Sequence, residues 1–188
     1  MTASAIAWAG GLQYRAGSES WTEPAGVTGA GSVELLASPE FFGVQALKLW
    51  EFDRRTCALQ IEQSSFNAPS AGSLDAIRVC EPKSSESWKR ADVGTGQFVT
   101  AVAVCTAKGK QHANEVHGVE LWGAAIDADG RLKPAKKSVK IEFAQCDKWS
   151  PKRACPKGSV ATGVRGHTAD DRGVVGLALR CHGVEATK

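Results

Sequence analysis

The sequence predicts an all-β chain built as a pseudo-threefold prism, and three observations lead there. Tryptophans recur at long, similar steps: 67 residues separate Trp21 from Trp88, and 61 separate Trp88 from Trp149. Each leads into the same grammar of a Gly, an alternating apolar run, a polar loop, then a second Gly and a second apolar run. Period-two alternation dominates throughout, and no segment carries a long helical period. A repeat of this kind reads as similar supersecondary units around one core. Many short strands suit a sandwich, a barrel or a prism. Threefold repetition favours a prism or a trefoil, and units this long suit three four-stranded sheets better than a trefoil.

The elements follow in order. Ser18-Glu19-Ser20-Trp21 opens the first unit, with apolar runs after Gly31 and Gly43. Ser85-Glu86-Ser87-Trp88 repeats the same four letters, with runs after Gly96 and Gly118. Asp147-Lys148-Trp149 opens the third unit, with runs after Gly158 and Gly176. Strands are expected at 33–37, 44–52, 57–63, 74–80, 98–105, 118–126, 138–145, 159–165 and 174–181. Val139-Lys140-Ile141-Glu142-Phe143 alternates cleanly between an apolar and a charged face, as does Leu59-Gln60-Ile61-Glu62. Asp127-Ala128-Asp129-Gly130 reads as a turn, since Gly supplies positive φ.

The length of 188 residues fits one domain spanning 1–188, with units near 12–64, 65–126 and 127–188. Met1 to Gly11 is apolar but lacks a basic leading segment. It is expected to be a loose terminus, the start of a mature chain rather than a full signal peptide. No run reaches the roughly 18 apolar residues of a membrane helix. Net charge is +3, but its distribution is uneven. Nine Lys or Arg lie between Arg131 and Lys157, against Glu142 and Asp147. This predicts a basic face on the third unit, open to an acidic protein or an anionic polymer. A solvated, aggregation-blocking edge is the plainer explanation.

The six cysteines are Cys57, Cys80, Cys105, Cys146, Cys155 and Cys181. None shows zinc spacing. Scattered even-numbered cysteines in a β-rich chain predict three disulfides and a secreted or periplasmic home. Cys155 with Cys181 is the most natural pair, because they bracket the third unit. Cys57 with Cys80 would staple an analogous hairpin, leaving Cys105 with Cys146. Six free thiols would instead return the chain to the cytoplasm.

Catalytic patterns are scarce. His112 and His117 share a polar loop with Glu115, too few ligands for zinc, and a surface loop explains them. Asp127-x-Asp129-Gly130 lacks the later ligands of a calcium loop. Asp170-Asp171 beside His167 is a carboxylate pair, but adjacent side chains in a strand-to-strand loop point apart. A sugar hydrolase needs two carboxylates across a cleft. No nucleotide, phosphate-loop or metalloprotease motif is present, so no enzyme, cofactor, metal or nucleic-acid partner is expected. Binding suits the residues better. Indole is a flat apolar surface with one N–H donor. Trp21, Trp88 and Trp149 follow polar residues in expected connections, so they are candidates for three equivalent sugar platforms, joined by the loop His167, Asp170, Asp171 and Arg172. The plain alternative is that each plugs one end of the core. Trp50 and Trp122 lie in strand-like runs and are expected in the core; Trp8 is unassigned.

Cys155-Pro156-Lys157-Gly158-Ser159-Val160-Ala161-Thr162-Gly163-Val164, followed by Gly176-Leu177-Ala178-Leu179-Arg180-Cys181, resembles the vitelline membrane outer layer protein family, especially its bacterial secreted relatives. The resemblance implies a β-prism of three Greek-key antiparallel sheets, disulfide-bonded, outside the cytoplasm and linked to glycan-rich layers. It carries no catalytic residues to this chain. The expectation is a secreted, lectin-like, non-enzymatic binding module for a polysaccharide or glycan-rich envelope. The alternative is a protein-interaction module, an inhibitor or the targeting part of a toxin or adhesin, working through the basic third unit. A carbohydrate-active enzyme ranks below both.

Overall fold

The computed structural model describes residues 11–37, 42–52, 55–67, 71–80, 86–107, 114–169 and 173–187. The chain begins with β1 (Leu12–Tyr14), β2 (Ser20–Trp21), β3 (Ala25–Gly26) and β4 (Gly31–Leu36). A long hairpin follows, β5 (Phe42–Phe52) and β6 (Arg55–Ser65), then β7 (Ala71–Ser73), β8 (Ile77–Arg78) and β9 (Glu86–Asp92). The second hairpin is β10 (Gln97–Thr106) and β11 (Val116–Ile126), followed by β12 (Leu132–Pro134), β13 (Val139–Glu142), β14 (Lys148–Trp149) and β15 (Arg153–Ala154). The third is β16 (Ser159–Thr168) and β17 (Val174–Ala186).

Three antiparallel sheets form around these hairpins. In the first, β9 lies beside β5, and β7 and β8 lie beside β6. In the second, β14 and β15 lie beside β10, and β12 and β13 beside β11. Both have the Greek-key order, in which a fourth strand returns beside the first. The third sheet has the same order but takes its outer strands from the chain's beginning: β4 beside β16, and β1, β2 and β3 beside β17. The Gly11 carbonyl accepts the Thr187 N–H at 2.7 Å, so the two ends of the described chain meet. The architecture is the all-β pseudo-threefold prism expected from the sequence.

The threefold relation extends to single residues. A bulge interrupts the pairing between Val44 and Ala46, between Val99 and Ala101, and between Ala161 and Gly163. A second irregularity follows Trp50, Cys105 and His167. These three residues therefore occupy one equivalent position. The extra residues between the first flanking pairs are Gln45, Thr100 and Thr162. The Thr100 and Thr162 hydroxyls donate to the equivalent Trp122 and Arg180 carbonyls, at 3.2 and 3.4 Å. Bulges bend a strand and raise its twist, which lets a four-stranded sheet curl around a shared core.

Alternation sets the faces. Leu47, Leu49, Leu59 and Ile61 of the first sheet point inward with Val102, Val104, Val119 and Leu121 of the second and Val164, Leu177 and Leu179 of the third. The residues between them along each strand face the other way. One axial end is closed by rings: Phe66 meets Phe98 edge-on at 4.9 Å and Tyr14 at 5.6 Å, over Leu12, Val160 and Val184.

Three disulfides join Cys57–Cys80, Cys105–Cys146 and Cys155–Cys181, and no cysteine is free. All three pairings match the sequence reading. No helix of the described residues is long and apolar enough to cross a membrane. The expected turn also forms: Asp127 Oδ1 accepts the N–H groups of Asp129 and Arg131, and Gly130 takes φ 78°. Those donors hold the Asp127 carboxyl below its ordinary range despite some desolvation.

Several element expectations change. The expected strand at 74–80 shrinks to the two-residue β8, with β7 lying just before it. Trp21, Trp88 and Trp149 lie in edge strands β2, β9 and β14, not in connections. Strands of two to seven residues flanked by polar letters give little periodic signal. The basic run from Arg131 to Lys157 does not form a face on the third hairpin's sheet. It contributes β12 to β15, the outer strands of the second sheet.

Candidate functional site

Trp88 pairs across the strands with Trp50 on the outer face of the first sheet. Its indole is 54% exposed, the one exposed aromatic among the described residues. The Lys48 ammonium lies 3.9 Å from the Trp88 ring centroid and 4.5 Å from that of Trp50. Two residues along the same strand means the same face, which is why Lys48 reaches both rings. Trp50 is half-buried against Phe52, Cys57, Ala58 and Cys80, a small cluster outside the main core. The expectation of a core Trp50 is therefore corrected: it sits on a sheet exterior. Next to Lys48, Arg90 holds Glu62 through paired bonds at 2.6 and 2.9 Å and Asp92 at 2.6 Å. The Glu62 bond foremost raises the Arg90 pKa. Desolvation would raise the Asp92 carboxyl, but the Gly94 N–H, Gln45 and Arg90 outweigh it and hold it low.

Trp149 pairs with Cys105 on the second sheet, at the position equivalent to Trp88 opposite Trp50. It is half-buried under the Lys140 ammonium at 4.2 Å, and Lys140 is itself paired with Glu142 at 3.0 Å. Trp122 is also half-buried rather than in the core, with Lys152 4.5 Å from its ring.

Trp21 is not the third member of this set. It pairs with Arg180 on β17, the second strand of its hairpin. The position facing His167, equivalent to Trp88 and Trp149, belongs to Ser32. Three equivalent tryptophan platforms do not form, because the first unit's early strands complete the third sheet. The Arg165 guanidinium stacks 3.9 Å from the Trp21 ring and pairs with Glu34 at 2.7 Å. Arg180 makes two bonds to Glu19 at 2.8 Å each, which lower the Glu19 pKa and raise that of Arg180. Beside them, His182 Nδ1 lies 2.7 Å from the Thr162 hydroxyl, and its ring stacks on Tyr14 at 4.6 Å.

The histidines are more enclosed than the sequence suggests. His167 lies in β16 rather than in a loop, and burial, then the Arg165 charge, lower its pKa. His117 was expected in a surface loop but is fully buried in β11, 3.3 Å from Glu51. It is the extra residue of the second-hairpin irregularity, the position of Cys57 in the first. A bulge re-aims a side chain in a way that alternation does not reveal. His112, Asp170, Asp171, Arg172 and Trp8 lie outside the described residues. Among the described residues no group of three metal-ligating side chains assembles.

No family model and no curated protein matches the sequence. Solved structures do match in fold. Calystegia sepium agglutinin superposes with TM-score 0.60 at 10% identity, covering 89% of this chain and 98% of that one. The Calsepa lectin in complex with a biantennary N-glycan gives 0.58 at 11%, covering 87% and 95%. A mannose-specific jacalin-related lectin from Morus nigra in complex with mannose gives 0.53 at 10%, covering 88% and 95%. At such identities the likeness shows the fold, the β-prism of jacalin-related lectins. The vitelline membrane outer layer resemblance rests on the quoted residues alone.

Proposed function

We propose that this chain is a non-enzymatic glycan-binding module, exported and directed at a polysaccharide or glycan-rich envelope. The observation that carries the reading is the exposed Trp88 indole on a rigid sheet, with Trp50 and Lys48 beside it. Aromatic faces bury the apolar C–H face of a sugar ring, and neighbouring polar groups fix its orientation. The prism neighbours with bound N-glycan and mannose support the same class of ligand. Three disulfides suit an oxidising compartment outside the cytoplasm. The proposed link to vitelline-membrane-type envelope proteins agrees with that location.

Trp88 leads the proposed site. Trp149 is a second contact, partly covered by Lys140. Trp21 is weaker, because Arg165 lies over its ring. His167, Asp170, Asp171 and Arg172 remain proposed contributors from the third hairpin. The test is binding to an array of glycans and cell-wall polysaccharides, with Trp21→Ala, Trp88→Ala and Trp149→Ala run separately. Trp88→Ala is expected to abolish most retention while the protein stays folded. Binding untouched by all three variants would turn the reading toward a protein partner on the basic second sheet.

A further inference from the structure

We infer that the first-sheet face selects acidic saccharides, those bearing carboxylate or sulfate, with Lys48 as the anion-binding group. The inference deepens the glycan-binding reading and rests on it. Five of the cation–aromatic contacts bring a Lys or Arg over a tryptophan outside the core, but they are not alike. Arg165 over Trp21 is neutralised by Glu34, and Lys140 over Trp149 by Glu142. Lys48 and Lys152 have no such partner: among the described residues no carboxylate lies within ion-pair distance of either ammonium, but Lys152 lies over the half-buried Trp122 whereas Lys48 lies over the exposed Trp88. The two nearby acids, Glu62 and Asp92, are both held by Arg90.

Lys48 is also half-buried, and its ammonium lies against two indole faces that displace part of its water. Two indole faces return some of that loss through their quadrupoles. They cannot accept an ionic hydrogen bond, and an ammonium has three N–H donors to satisfy. Trp88, the neighbouring ring, is open on the solvent side. A sugar stacked on Trp88 places a ring substituent beside Lys48. An anionic substituent makes a charge-assisted bond there, stronger than a neutral hydroxyl makes. Charge, exposure and a cation without a carboxylate partner thus point to one ligand chemistry. Carboxylate and sulfate both supply it.

The experiment compares matched pairs: polygalacturonate against its carboxyl-reduced form, and dextran sulfate against dextran. Affinities are measured at low and near-physiological salt for the wild type, Lys48→Met, Lys48→Arg and Trp88→Ala. Binding of at least one acidic member about tenfold or more tighter than its neutral match, lost in Lys48→Met and kept in Lys48→Arg, is expected. The pair that shows the effect tells carboxylate from sulfate. Lys48→Met keeps the aliphatic stem, and unchanged thermal unfolding separates lost charge from lost fold. Equal binding of acidic and neutral members, with Lys48→Met unaffected and Trp88→Ala still weakened, overturns the acidic preference and leaves glycan binding standing. Failure of all four polymers to bind overturns the acidic preference, and failure of the glycan array as well overturns both.

Discussion

Tyr14 is the sole tyrosine of the chain, which makes it a clean reporter of one axial end. Burial pushes its hydroxyl, which donates to the Phe42 carbonyl, up to about 12, only partly opposed by the Arg180 charge. The folded state thus holds this proton more tightly than the unfolded chain does. Stability from Tyr14 is complete below about pH 10 and is lost as pH rises toward 12. Tyrosinate absorbance is expected to show a single midpoint near 12 in the folded protein and near 10 after unfolding. A folded midpoint near 10 would place Tyr14 in water. His182 and His167 behave oppositely. Burial first, then Arg180 for His182 and Arg165 for His167, keeps both below the ordinary 6.5. The unfolded chain takes these protons first, so stability is full above about pH 6.5 and falls as pH drops below it. Denaturant midpoints from pH 8 to 5 are expected to decline, and His182→Asn should flatten that decline.

At the scale of elements, the hairpins carry the fold and the short strands carry the candidate site. Ala58, Gly118 and Gly176 occupy equivalent positions opposite Trp50, Cys105 and His167. A Cβ on Gly176 would lie 2.4 Å from the Val27 carbonyl oxygen and 2.9 Å from that of Ala25. Because both obstacles are backbone, Gly176→Ala is expected to cost about 1–3 kcal/mol in a denaturant titration. Replacing Cys155 and Cys181 together by Ala is expected to cost about 3 kcal/mol, since that link closes a loop of 26 residues. A thiol assay of the unreduced, unfolded wild type should find no free sulfhydryl.

The same scale explains what the sequence disclosed. The six long hairpin strands were legible because ten or more alternating residues repeat one register. The disulfides were legible because each cysteine lies near a hairpin end or its return. Strands β2, β9 and β14 were not, because two to seven polar-flanked residues depend on a long neighbour for their hydrogen bonds. His117 was misplaced because an extra residue in the ladder breaks alternation where it matters. Trp88 was found by its repeated four-letter setting, while its exposure and the Lys48 contact depend on strand pairing 38 residues away.

Over the whole molecule, a near-threefold scaffold carries three unequal outer faces. Register gives the first and second sheets an edge tryptophan and gives the third Ser32. Cations and carboxylates then cover Trp21 and Trp149 more than Trp88. Symmetry explains the core, and its failure on the outside confines the proposed binding to one leading face. Multivalency from three identical sites is therefore not expected from a single chain. Titration with a short saccharide should give about one tight site per chain.

The most direct measurement is the indole N–H spectrum of the six tryptophans, assigned by single substitutions, during titration with a mannose-terminated N-glycan and with an oligogalacturonate. The account predicts that Trp88 and Trp50 shift together at saturating ligand, with the oligogalacturonate acting at lower concentration. Shifts confined to Trp21, Trp122 or Trp149, with Trp88 unmoved, would contradict it.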